Sequence, residues 1–143
     1  MSASKDTGTL TANGAVRFSG ARIEIPVIAV EPGKPDTTFE VHGKVNPTII
    51  VPAGAKLRFV LANADEEMPH GLDVTLSAPT YSLLPHLKKN VAVTGTVNPR
   101  IYGKKTLAVK KTGWFTLKPG IYYYVCPIPG HAKQGMYGKI IVR

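Results

Sequence analysis

The chain has 143 residues, of which 43% are hydrophobic and 19% charged. That is enough to bury about two thirds of the unfolded surface around one core, and too balanced a composition for a disordered chain. No apolar run of about 18 residues occurs, which excludes a membrane-spanning helix within these residues; eighteen Lys and Arg against nine Asp and Glu leave a net charge of +9.

Fourteen Gly and twelve Pro suit many short strands joined by turns, and the chain is read as one domain over residues 1–143. Residues 1–13 are polar and are expected to be loosely held. Strands are then predicted over Ala15–Ser19, Arg22–Val30, Thr38–His42, Thr48–Val51, Lys56–Asn63 and Gly71–Leu76. Alternation is clear from Lys56 to Leu61 and marks one buried and one wet face. From Ser77 to Lys105 a link holding Pro79, Pro85 and Pro99 reads as a loop or short helix. Further strands are predicted over Leu107–Lys110, Trp114–Leu117, Ile121–Val125 and Tyr137–Val142. Turns fall at Pro32-Gly33, Ala53-Gly54 and Pro119-Gly120, and no segment carries a long 3.6-residue apolar period. The expected fold is all-β, a Greek-key β-sandwich.

The segment between the last two strands holds Cys126, His131 and Met136: a thiolate, an imidazole and a thioether at i, i+5 and i+10. It leaves one strand and returns along the next, so its side chains can converge at one end of the sandwich, stiffened by Pro127, Pro129 and Gly130. Soft sulfur with imidazole selects copper or zinc over magnesium or calcium. Two His and one Cys in a plane with a distant axial Met is the set expected of an electron-transfer copper. The second imidazole must come from elsewhere. His70, just before the strand at Gly71, sits at a sheet end and is the preferred partner. His42 and His86 read as surface or structural residues. Taken singly, Cys126 and Met136 would be core filler and His131 a loop imidazole; their joint spacing argues against coincidence. The single cysteine excludes an internal disulfide.

The stretches Leu117–Cys126, Ile128–His131 and Gly135–Val142, with Phe39–Ala55, closely resemble the cupredoxins, or type 1 blue copper proteins, and within them the rusticyanin branch. The similarity runs from about residue 15 to the end. It implies a one-electron carrier, not an enzyme, with one copper per chain cycling between Cu(I) and Cu(II) on His70, Cys126, His131 and Met136. It further implies a place in the periplasmic iron-oxidation chain of acidophilic bacteria, a high reduction potential, and brief docking with a c-type cytochrome or a cytochrome oxidase subunit. A copper-binding accessory or chaperone protein of a terminal oxidase is the alternative. Two residues depart from the pattern: Gly71 stands where family members commonly have Asn or Ser, and Pro127 after the Cys has no N–H. A side-chain tie is therefore lost, backbone N–H groups of Gly71 and Ile128 remain for the sulfur, and an altered colour and potential are expected.

The rivals fit less well. Copper oxidases place a His beside the Cys, whereas Val125 and Pro127 flank Cys126; copper chaperones favour Cys pairs or Met-rich runs, and one Cys and three Met are present. An electron port is expected at the outer edge of His131, ringed by Met68, Pro69, Pro85, Ile128 and Pro129. The basic charge is read as a solvated surface or a face for an acidic protein; few carboxylates also leave few ion pairs for acid to break, which suits an acidic habitat. Nucleic acid is not an expected partner, because the lysines are scattered and no aromatic platform accompanies them. The opening Met1–Lys5 lacks the apolar core of a signal peptide, so a processed or trimmed form is expected, with any membrane association resting on a segment upstream.

Overall fold

A computed structural model describes residues 7–101 and 106–143. Twelve strands are present among them: β1 (Thr9–Leu10), β2 (Val16–Arg17), β3 (Arg22–Ala29), β4 (Phe39–Val41), β5 (Lys44–Val45), β6 (Ile49–Val51), β7 (Lys56–Asn63), β8 (Asp73–Thr75), β9 (Ala92–Val93), β10 (Ala108–Lys111), β11 (Gly120–Val125) and β12 (Tyr137–Val142). They form two facing sheets, ordered β1-β2-β6-β12-β11-β8-β9 and β10-β7-β3-β4-β5. No helix among the described residues is long and apolar enough to cross a membrane.

Alternation along β3 and much of β7 explains the core face of the second sheet. β3 turns Ile23, Ile25, Val27 and Ala29 inward, and β7 does the same with Leu57, Phe59 and Leu61. The two run parallel in register from Arg22 opposite Lys56 to Ala29 opposite Asn63. In the first sheet β11 lies between β12 and β8, antiparallel to both. Its inward Tyr124 packs between Phe39 and Phe59, with ring centroids 5.7 and 6.1 Å away, and its hydroxyl donates to the Pro47 carbonyl. Each such fully buried aromatic or branched side chain contributes about 1.5–3 kcal/mol.

Three predicted elements need revision. The Trp114–Leu117 segment touches the sheet by one bridge, Phe115 to Leu57. Its tryptophan turns outward instead, with the guanidinium carbons of Arg22 and Arg58 4.4 and 4.3 Å from the ring centroid. The link after Ser77, expected as a loop or short helix, is mostly loop and carries the two-residue β9, while residues 102–105 of that link lie outside the described residues. Residues 1–6 of the polar opening also lie outside them, and Thr9–Leu10 pairs with Val16–Arg17.

Candidate metal centre

The antiparallel register sets the site. Val125 of β11 lies opposite Asp73 of β8. Continuing past both strand ends brings Cys126 beside the segment that enters β8, which begins with His70 and Gly71. His70 is pinned there by a two-way backbone bridge: its N–H donates to Val97 O at 3.1 Å and Val97 N–H returns to His70 O at 2.7 Å. His131 comes from the turn after Cys126. That turn is closed at its neck, since Cys126 N–H donates to Met136 O and Met136 N–H to His131 O, both at 3.1 Å. Gly130 and Gly135 sit at φ +84° and +109°, a left-handed region in which a side chain would be strained. The Asn46 amide clamps the turn from outside by donating to Gly135 O at 3.0 Å.

The result is a compact donor set. The ligand atoms of His70, Cys126 and His131 lie within 4.8 Å of one another, and all three residues are buried. Cys126 Sγ is 3.8 Å from His70 Nδ1 and 3.5 Å from His131 Nδ1. A metal bonded to sulfur at about 2.3 Å and nitrogen at about 2.0 Å, with angles near 110–120°, separates those atoms by about 3.5–3.7 Å. The observed spacings therefore fit a shared ion. Met136 is fully buried on the same turn. His42 and His86, expected at the surface, are both exposed and stand outside this cluster.

The electrostatics favour metal-binding forms of the imidazoles. Burial lowers the His70 value, outweighing the opposing pull of Asp65. Burial, assisted by the neighbouring His70, also lowers that of His131. Both rings are thus harder to protonate than a free imidazole. Burial pushes the Cys126 thiol up to about 11, while N–H groups of Gly71 and Ile128 donate to the sulfur and work the other way. Metal binding here must displace a proton from that thiol, so it is coupled to pH. Gly71 also packs tightly: a Cβ there would lie 3.1 Å from Gly95 O and 3.3 Å from the Pro127 ring. The space beside Gly71 is thus closed by the Gly95 carbonyl and the Pro127 ring.

Chain composition and fold converge in the comparisons. A model of the sulfocyanin (SoxE) domain matches residues 19–143. The chain is 41% identical to rusticyanin of Acidithiobacillus ferrooxidans over 141 residues, covering 97% of this chain and 87% of that one. This chain is a cupredoxin of the sulfocyanin family. Solved structures agree: rusticyanin from Thiobacillus ferrooxidans superposes with a TM-score of 0.87 at 39% identity, over 97% of this chain and 88% of that one. Reduced rusticyanin gives 0.87 at 37%, over 97% and 90%. This cupredoxin is accordingly an electron carrier with a single copper, and such a carrier requires a redox donor and an acceptor.

Sequence reasoning missed Asp65 and Asn63. Asn63, the last inward residue of β7, is fully buried; its amide donates to Met68 O, Val97 O and Asn98 O, and its Oδ1 accepts from Asp65 N–H at 2.9 Å. Asp65 Oδ2 in turn meets His70 Nε2 at 2.8 Å. A polar residue at an inward strand position was the available signal. One side of His131 opens on a polar cleft of about 570 Å³, which Met68 and Pro129 of the expected ring line together with Glu31, Asp36, Glu66 and Glu67 and the cations Lys34 and Arg100. The β3–β4 and β7–β8 loops supply those acids, because both end at this pole of the sandwich.

Asp73 carries a separate prediction. It is buried, with the Asn90 amide donating to it at 3.2 Å, and burial raises its carboxyl from the ordinary value to about 6. The folded chain therefore holds this proton more tightly than the unfolded one. Its contribution is fully present near pH 4 and below, and is lost as pH rises through about 6. Asp73→Asn should stabilise the fold at pH 7 by about 1–3 kcal/mol and flatten stability between about pH 4 and 6. Urea denaturation at both pH values checks this; parallel profiles for variant and parent would refute it.

Proposed function

We propose that His70, Cys126, His131 and Met136 together hold the copper, and that this cupredoxin passes electrons through the His131 side of the site rather than acting as an enzyme. The observation that carries the reading is the convergence of two imidazole Nδ1 atoms on one buried thiol at 3.8 and 3.5 Å. Copper held there supplies the one-electron couple. The protein does the rest. The bridge at Val97 and the closed turn at Met136 fix the donors from both sides, so little backbone rearrangement accompanies a change of charge. Burial excludes water, and the N–H groups of Gly71 and Ile128 share the negative charge of the sulfur.

Electrons would enter or leave where His131 reaches the cleft containing Met68 and Pro129, in a small, brief contact with a c-type cytochrome or a cytochrome oxidase subunit. The kinship with rusticyanin of an Acidithiobacillus supports placement in the periplasm of an acidophile. Both His values lie below the ordinary one, as acid service requires. Titration with Cu(II) should saturate at one equivalent per chain, with an intense visible thiolate-to-copper band that bleaches on adding reduced cytochrome c. A different stoichiometry, or no band, would remove the copper-carrier reading. A band that forms but does not respond to any reduced cytochrome would favour the accessory-protein alternative.

A further inference from the structure

His70 faces the donor cluster through Nδ1, so its Nε2 points away, into the loop between β7 and β8. There it meets Asp65 Oδ2 at 2.8 Å, with the His70 side chain fully buried and that of Asp65 only 16% exposed. We propose that Asp65 is a positioning residue of the copper centre, holding His70 in the Nε2–H tautomer while its negative charge favours the oxidised centre and restrains the reduction potential. The inference rests on His70 being a copper ligand.

The tautomer follows from donor and acceptor count. A neutral imidazole carries one N–H, and an ionised carboxylate can only accept. Nε2 must therefore donate to Asp65, which leaves the Nδ1 lone pair directed at the position shared with Cys126 and His131. The carboxylate is itself held. Asp65 Oδ1 accepts the Glu67 N–H at 2.9 Å, and the Asp65 N–H donates to Asn63 Oδ1 at 2.9 Å. Asn63 in turn grips the carbonyls of Met68 and Val97, the residue that bridges His70. An unbroken run of hydrogen bonds thus links the inward end of β7 to the orientation of one ring.

The charge has its own consequence. An outer carboxylate makes an imidazole a better donor and adds a negative charge close to the metal. One thiolate and one carboxylate balance a divalent ion, and the same set carries an excess negative charge once an electron has been added. The oxidised state gains, so the potential falls. No proton crosses between His70 and Asp65 in the cycle; the electron comes from and goes to the docked partner. His131 is different: no carboxylate lies within hydrogen-bond distance of its ring among the described residues. Only one of the two imidazoles carries this restraint.

The test is the midpoint potential of the copper-loaded full chain at pH 7. Asp65→Asn keeps the size and a hydrogen-bond acceptor but removes the charge. It should shift the redox equilibrium about tenfold toward the reduced form, ~59 mV upward for one electron, with the visible band intact. Glu67→Gln removes a carboxylate from the same cleft that reaches Asp65 only through its backbone N–H, and should shift the potential clearly less. Asp65→Ala should raise the potential and also change the copper hyperfine splitting, because the ring is released. In the copper-free protein, nitrogen NMR should show the Nε2–H tautomer of His70, mixed with the other in Asp65→Ala. An Asp65→Asn potential equal to the parent's, or a Glu67→Gln shift as large as that of Asp65→Asn, overturns the inference. If His70→Ala keeps the unaltered band, the ligand assignment fails instead, so the two failures can be told apart.

Discussion

Cys126→Ala should abolish the intense visible band and weaken Cu(II) binding by more than ~100-fold, beyond the 10–100-fold cost of losing an outer partner. The thiolate is the one anion in the proposed donor set, and Cys126 itself is fully buried. Without it a divalent ion would be buried among two neutral imidazoles and a thioether, with its charge balanced only by Asp65 on the far side of His70. The fold should barely respond. Cys126 is small, and replacing its S–H by a hydrogen leaves a void costing about 1 kcal/mol. Copper titration followed by absorption, with a urea melt of the copper-free protein beside it, separates the two effects. A band that survives the substitution would sink the assignment of the sulfur.

Gly138→Ala should cost about 3 kcal/mol or more in stability, the largest effect expected of any single methyl in this chain. Gly138 in β12 lies opposite Tyr124 in β11, and a Cβ at 138 would overlap the Tyr124 ring well inside van der Waals contact. The ring cannot easily yield. Phe39 and Phe59 pack against it, and its hydroxyl is tied to the Pro47 carbonyl. Because Cys126 follows two residues later, just past the end of β11, displaced Tyr124 should also loosen copper. Urea denaturation of the copper-free chain gives the cost, and repeating Gly138→Ala in a Tyr124→Leu background should recover most of it. A cost below about 0.5 kcal/mol in the parent would show that the ring moves freely.

How much of this was legible beforehand depends on what kind of signal each part emits. β7 and β12 announce themselves by alternation, because each turns one face into the core, while β3 and β11 announce themselves by runs of Ile, Val and Tyr bounded by turn residues. β1, β5 and β9 are two residues long and exist only through their partners, which no local pattern can reveal. The Trp114–Leu117 segment has strand-like composition, yet Trp114 finds two guanidinium groups at the surface, and one bridge is all the sheet retains. The site divides the same way. Cys126, His131 and Met136 share one turn and so share one spacing, whereas His70 could be chosen only by its place at a strand end. Asp65 was hidden by its company: Asp65-Glu66-Glu67 reads as a solvated acidic run, all three line the cleft, and only the geometry of the β7–β8 loop shows which carboxylate touches His70.

The split origin of the donors bears on when the centre can be filled. His70 and Cys126 are 56 residues apart, and the contact that anchors Tyr124 spans 77. Such long closures form late in folding, after β11 has been inserted between β8 and β12. A chain still emerging from synthesis holds His70 long before it holds the thiol, so it has no complete trap for copper. Loading must follow assembly, and a stray ion captured early by the Cys126–Met136 turn alone would meet neither the His70 ring nor the carboxylate behind it. The architecture thereby makes metal acquisition a late event in the life of the molecule, and a record that the sheet has closed correctly.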